Sequence, residues 1–220
     1  IHIRFSWNEN NPWIATIDDG SGMDMDELKT AMRIGSINPL DTRDKDDLGR
    51  FGLGLKTASM SQSRRFTIIS KKDNKYSIAQ WDLDSVDIKN KNKWLIVTYE
   101  LSEIGPILSK LNNQFLGKMN HGTIVYWDYI DRIDVGENEN KKETKFNKVL
   151  NSVRSHLELV FHRYLSPSVG QRKIKINFNN SPLNAFDPFF IKKSKELNSE
   201  VINFNSSKIN VQPYVLPHHS

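Results

Sequence analysis

The sequence has no cysteine, which excludes a disulfide framework and any thiolate-ligated metal. No apolar run approaches the roughly 18 residues that a membrane helix requires, and no basic-then-apolar leader opens the chain. Internal repeats and low-complexity tracts are lacking. Histidine is sparse: His156 and His162 do not share a helical face at the spacing that metal ligands use. Charge is only mildly one-sided, with 31 Lys and Arg against 26 Asp and Glu. The lysines scatter in groups such as Lys89, Lys91, Lys93 and Lys192, Lys193, Lys195, which read as solvated surface. No basic stripe with interleaved aromatics marks a nucleic-acid face. What these absences leave is a soluble, cytoplasmic globular chain. At 220 residues it suits one large domain, or one domain and part of another.

Residues 1–5, IHIRF, and 13–18, WIATID, alternate apolar and polar side chains, and NENNP between them has turn composition. The two runs predict a hairpin. In MDELKTAMR, 25–33, Met25, Leu28, Ala31 and Met32 fall at helical spacing behind Asp24 as N-cap. Residues 35–48 are polar and charged and predict a long loop. A helix is expected through LGLKTASMS, then three strands within 64–100, a short helix over 103–112 and a strand over 122–130. From about Lys145 to Tyr164, Phe146, Val149, Leu150, Val153, Leu157, Val160 and Phe161 recur at helical steps. RKIKINFNNSPL reads as a strand and turn, and VINFNSSKINVQPYVL as a hairpin that opens another sheet. A soft boundary falls near residue 168.

Two stretches carry chemistry. DDLGRFGLGLK, 46–56, holds Gly49, Gly52 and Gly54 ahead of Lys56. Glycine allows close backbone approach, and a glycine-rich turn feeding a helix N-terminus presents free N–H groups to phosphate. Lys56, one turn in, would neutralise an oxyanion. Taken alone, these glycines read as a tight turn in a packed core. The spacing is not that of Walker A, because the lysine stands two places after Gly54. Nor is it the dinucleotide fingerprint, whose glycine order differs. The second stretch, TIDDGSGMD, 16–24, ends a strand on Asp18 and alternates Gly20 with Gly22. A carboxylate there reads as a plain turn, a metal ligand or an acceptor for a buried donor. The calcium-loop pattern is not met, and in isolation a plain turn is the default.

The two stretches stand in a series: strand, DDGSGM, helix, polar loop, GRFGLGLK, helix, strands, then Gly122-Thr123 and a strand. This order resembles the GHKL ATPase superfamily of gyrase B subunits, ninety-kilodalton heat-shock chaperones, histidine kinases and MutL. The nearest flavour is that of stand-alone bacterial ATP-binding proteins and MORC ATPases. The resemblance covers residues 1–130 well and the rest loosely. It implies an α/β fold, a two-layer sandwich of helices on a mixed, mostly antiparallel sheet of Bergerat type, over residues 1–167. The start of a second, transducer-like domain would follow over 168–220. It implies ATP as ligand, with Mg2+. Asp18 would accept from the adenine exocyclic amine and disfavour guanine. Gly20 completes that box, Gly22 would let the adenine approach the backbone, Met23 would offer a soft apolar surface, and Thr123 would add a hydroxyl at the same edge. Gly49, Gly52 and Gly54 would wrap the β- and γ-phosphates. Arg50, Phe51, Leu53, Leu55 and Lys56 complete that nucleotide-contacting stretch. Residues 35–48 would be a lid that orders on binding. Closure into a homodimer, acting on DNA or a protein client, is the implied output.

In the superfamily a helix before the first strand carries the catalytic glutamate and a magnesium-holding asparagine. The sequence opens at the strand that would follow this helix, and Asn8, Asn10 and Asn11 lie in a turn and do not match. The implied consequence is a helix upstream of this chain, no assignable base or metal ligand within it, and poor hydrolysis by it alone. No lysine of 168–220 is assigned to the γ-phosphate. Two other classes stand beside this one. A histidine kinase catalytic domain shares the boxes and would transfer phosphate to histidine. An interaction module would keep the fold without binding nucleotide. His121 is read as a strand-entry residue, Arg64 and Arg65 as solvent-facing, and Trp81, Trp94 and Trp127 as sheet packing.

Overall fold

A computed structural model describes residues 1–8, 11–33, 35, 53–85, 95–111, 120–132, 139–167, 173–205 and 207–218. They form two compact units: Ile1–Leu150 with Ile176–Ser181, and Asn151–Lys175 with Pro182–Ser220. The boundary expected near residue 168 lies inside the second unit's first segment, and residues 176–181 return to the first unit.

The first unit is built on a sheet of β1 (His2–Ser6), β2 (Trp13–Asp18), β3 (Arg65–Lys72), β4 (Lys75–Asp82), β5 (Val97–Thr98), β6 (Gly122–Asp128), β7 (Asn177–Phe178) and β8 (Ser181–Pro182). Its order is β5-β4-β3-β6-β2-β1-β7-β8. The pairs from β5 to β1 are antiparallel, and β7 adds in parallel beside β1. The expected first hairpin forms through a turn in which Asn8 is left-handed (φ 46°) and its carbonyl accepts from the Asn11 amide at 3.0 Å. β3 and β4 join through Asp73 and Asn74, both at positive φ, which suits a two-residue turn matched to strand twist.

Side chains alternate across the sheet, so the two faces carry different partners. On one face α1 (Met25–Met32) and α2 (Gly54–Gln62) cover the sheet. Leu28 and Met32 of α1 are fully buried there against Phe66, Ile68, Ala79 and Trp81. α1 starts where Asp24 and Glu27 make a reciprocal capping box. The opposite face carries Trp13, Ala15, Ile17, Ile69, Ile78, Ile124 and Tyr126. It is closed by Ile104 and Leu111, from a 3-10 turn (Leu101–Ile104) and the helix α3 (Gly105–Lys110).

α4 (Glu139–Val160) begins before the apolar periodicity does. Its Phe146 is wholly buried against Phe5 and Trp7, at ring distances of 6.4 and 5.4 Å. The strand expected at the end of 64–100 contracts to Val97–Thr98 among the described residues; Trp94 lies outside them, whereas Trp81 is buried as expected. Arg65 departs from its solvent-facing reading. It forks onto the buried Asp128 carboxylate at 2.8 and 2.5 Å, which also holds its guanidinium above the ordinary arginine range.

In the second unit α5 (His162–Leu165) is followed by β9 (Lys195–Glu196), β10 (Glu200–Phe204), β11 (Ser207–Val211) and β12 (Tyr214–Val215). β10 pairs with β11, and β12 with β9. The expected terminal hairpin is thus present. Asp187 accepts the amides of Phe189 and Ile191 at 3.0 and 2.8 Å, which makes DPFF a self-bonded turn.

Candidate functional site

Strand register brings the two ends of the sequence reading together. In β2 and β6, Asp18 stands opposite Thr123; in β6 and β3, Thr123 stands opposite Ser70; in β3 and β4, Ser70 stands opposite Ser77. Directly paired residues share a face. Asp18, Thr123, Ser70 and Ser77 therefore make one polar rung across four strands. It lies on the face that carries α1 and α2. Two residues along, the next rung is Thr16, Val125, Ile68 and Ala79, and the one after is Ile14, Trp127, Phe66 and Trp81. All four members of the end rung carry hydrogen-bonding side chains, whereas the next two rungs are mostly apolar.

The DDGSGM turn is fastened over that end. Asp18 Oδ1 accepts the Gly20 amide at 2.8 Å, an Asx-type turn. Among the described residues no donor reaches its other oxygen. His121 Nδ1 lies 2.6 Å from the Gly20 carbonyl, so it is the protonated nitrogen and donates. Gly22 adopts φ +71°, and a Cβ at this position would lie 1.9 Å from the Lys71 carbonyl oxygen. Only glycine allows so close an approach to β3. The Met23 amide donates to Ser70 Oγ at 2.8 Å. Ser70 Oγ lies in turn 2.9 Å from Thr123 Oγ1 and 3.2 Å from the Gly122 carbonyl oxygen. Ser70 is fully buried and Thr123 nearly so.

The Met23 side chain packs on the cluster beneath α1, and Leu55 of α2 packs on the same cluster. The amino end of α2 therefore opens on the same face as the Asp18 rung. Leu53 is its N-cap and supplies no side-chain cap, so the first-turn N–H groups are left to other partners. Among the described residues no atom stands within 4 Å of where a Gly54 Cβ would be, so their packing does not demand glycine there. Gly49, Arg50, Phe51 and Gly52, and the expected lid apart from Gly35, lie outside the described residues.

Lys56 takes a position that its sequence did not announce. It is 2% exposed, and its ammonium donates to the Ala31 and Arg33 carbonyls at 2.9 and 2.5 Å. Burial pulls its pKa below the ordinary lysine value. The side chain serves as a C-terminal cap for α1, supplied from α2. Lys56→Met removes two charge-assisted bonds and should cost about 2 kcal/mol, read as a lower denaturant midpoint at unchanged slope. An unchanged midpoint would count against the cap.

Sequence reasoning missed Ser70 and the donation by His121. A signal for Ser70 was available, because it occupies the same parity as the buried Phe66 and Ile68 in FTIIS and so had to be an inward polar group. His121 carried no such signal. Elsewhere, the second unit holds a cavity of about 750 Å3 lined by residues that include Arg163, Phe186, Phe189, Lys193 and Tyr214, and none of the candidate site residues lines it.

Residues 1–123 match the family described as histidine kinase-, DNA gyrase B- and HSP90-like ATPase. The chain belongs to this family. No curated protein matches it. Among solved structures it is similar to the ATPase region of Saccharomyces cerevisiae topoisomerase II bound to ICRF-187 (dexrazoxane), at 17% identity and TM-score 0.41 over 83% of this chain and 42% of that one. The ATPase and transducer domains of Balamuthia mandrillaris DNA topoisomerase II give 17% and 0.40 over 84% and 42%. The Aquifex aeolicus MutL ATPase domain gives 11% and 0.35 over 90% and 63%. The chain thus spans less than half the length of the topoisomerase structures.

Proposed function

We propose that the first unit binds ATP, with the adenine edge on the Asp18–Thr123 rung and the polyphosphate toward the amino end of α2. The carrying observation is the rung itself. It sets one carboxylate oxygen without a described donor beside a hydroxyl in direct register, on the sheet face that also presents α2. An exocyclic amine satisfies two such acceptors, whereas a carbonyl at the same place meets lone pairs. Among the described residues Gly54 leaves room for phosphate at a helix end that has no side-chain cap, where N–H groups and dipole favour negative charge. Gly49 to Gly52 would complete that cradle.

Magnesium would arrive with the nucleotide. Among the described residues no cluster of three His, Asp or Glu could hold a metal, so no step is assigned to it. The functional output in this reading is binding-driven closure. Residues 35–48 act as the lid, two chains pair, and the β-rich second unit couples the closure to DNA or a protein client. Binding energy that differs between open and closed forms is what drives such a shift. Among the described residues no helix is long and apolar enough to cross a membrane.

Thermal melts with ATP, ADP and GTP test the binding step. A ligand present at about 100 times its Kd and bound only by the folded state adds about 2.7 kcal/mol. At this chain length that corresponds to a rise of about 5–10 °C. ATP and ADP should produce it and GTP should fall well short. Absence of a shift with every nucleotide would favour the interaction-module alternative.

A further inference from the structure

Resting on the nucleotide reading above, we propose that Ser70 fixes the donor–acceptor sense of the Thr123 hydroxyl. Through it, Ser70 selects a 6-amino purine over a 6-oxo purine. Ser70 touches no ligand in this scheme and is a positioning residue.

A serine hydroxyl has one proton to give and two lone pairs to offer. The Met23 amide takes one lone pair, at 2.8 Å. The Gly122 carbonyl, at 3.2 Å, can only accept, and it draws the Ser70 proton. One lone pair is left, and it faces Thr123 Oγ1 at 2.9 Å. Thr123 therefore donates to Ser70. Its proton is committed inward, and toward the site it presents lone pairs alone. The sense of every bond follows from one carbonyl: Gly122 accepts from Ser70, Ser70 from Thr123, and Thr123 from whatever lies above it.

Asp18 stands across the ladder from Thr123 with oxygens that likewise accept. Two acceptors in register match the two protons of an exocyclic amine. A 6-oxo group would set oxygen against oxygen, and sites that leave buried polar groups unpaired reject the wrong ligand strongly. Ser70 is buried to 0% exposure, so no solvent replaces its hydroxyl once it is removed. Without it the Thr123 proton is released to turn outward, where it can serve a 6-oxo group.

ATP and ITP, which differ at position 6 of the purine, supply the test by titration calorimetry. The chain and its Ser70→Ala, Thr123→Val and doubly substituted forms would be compared. Ser70→Ala should narrow the ATP-to-ITP affinity ratio at least about fivefold, by weakening ATP and sparing ITP. In the Thr123→Val background the same change should leave the ratio where it was, because no hydroxyl remains to be oriented. An unaltered ratio in the single variant, or equal narrowing in both backgrounds, overturns the proposal; the second result would reduce Ser70 to a packing residue. If Ser70→Ala does not fold, Ser70→Cys comes close to the volume with a weak acceptor for the Thr123 proton and must narrow the ratio likewise, and an unaltered ratio there is equally fatal. Failure of the unsubstituted chain to bind either nucleotide would sink the ATP reading itself. That outcome is distinct from binding with an indifferent Ser70.

Discussion

Asp18→Asn is expected to weaken ATP binding at least about tenfold while leaving the melting temperature of the unliganded chain close to its starting value. The reason lies in how the carboxylate is used. One oxygen already accepts the Gly20 amide at 2.8 Å, and in the proposed ATP reading the other is offered to the nucleobase. Asparagine has a single oxygen and an NH2 group. If its oxygen stays on Gly20, the NH2 confronts the adenine amine, donor against donor. If the amide flips, the NH2 confronts the Gly20 N–H. Either way one donor is left unpaired, at about 1–3 kcal/mol, and about 1.4 kcal/mol is tenfold in affinity. Calorimetric titration measures it, with a thermal melt as the control for folding. Unchanged affinity would remove Asp18 from the adenine site.

Gly22→Ala should have the largest effect on stability. A left-handed residue with a side chain costs about 1–2 kcal/mol. Overpacking at a contact that cannot yield costs about 1–3 more. The contact at 1.9 Å is with backbone, the Lys71 carbonyl, and backbone of a central strand does not give way as a long side chain does. A loss of about 3 kcal/mol, or a melting temperature about 10 °C lower, is expected. Gly54→Ala is the internal contrast. With nothing among the described residues within 4 Å of its Cβ, it should leave the melting temperature unchanged and appear only in ATP affinity. Equal melting temperatures for the two variants would refute the packing account of Gly22.

The first and last hairpins, the capped α1 and the long α4 were legible because their signals are local: alternation, an Asp at the N-cap, steps of three and four. The family was legible because two glycine boxes and a Gly-Thr pair follow one another in order. Other features depend on register, which a single strand does not encode. Ser70 reads as one more polar residue until β3 is laid against β6 and its neighbour proves to be Thr123. Lys56 depends on its surroundings too. A lysine next to a glycine loop looks aimed at phosphate, yet the end of α1 supplies two carbonyls at hydrogen-bonding distance. Likewise, Arg65 was read from its sequence neighbours, while its partner Asp128 sits 63 positions away on β6.

In the proposed reading, nucleobase choice is written into ladder alignment rather than into a loop. Slipping β2 by one residue against β6 would turn Asp18 toward the opposite side of the sheet, and the purine edge would lose its partner while every strand still found a mate. Discrimination among purines would then report on alignment. A variant that is fully folded by its circular dichroism yet indifferent to the base would be one whose strands had paired out of step.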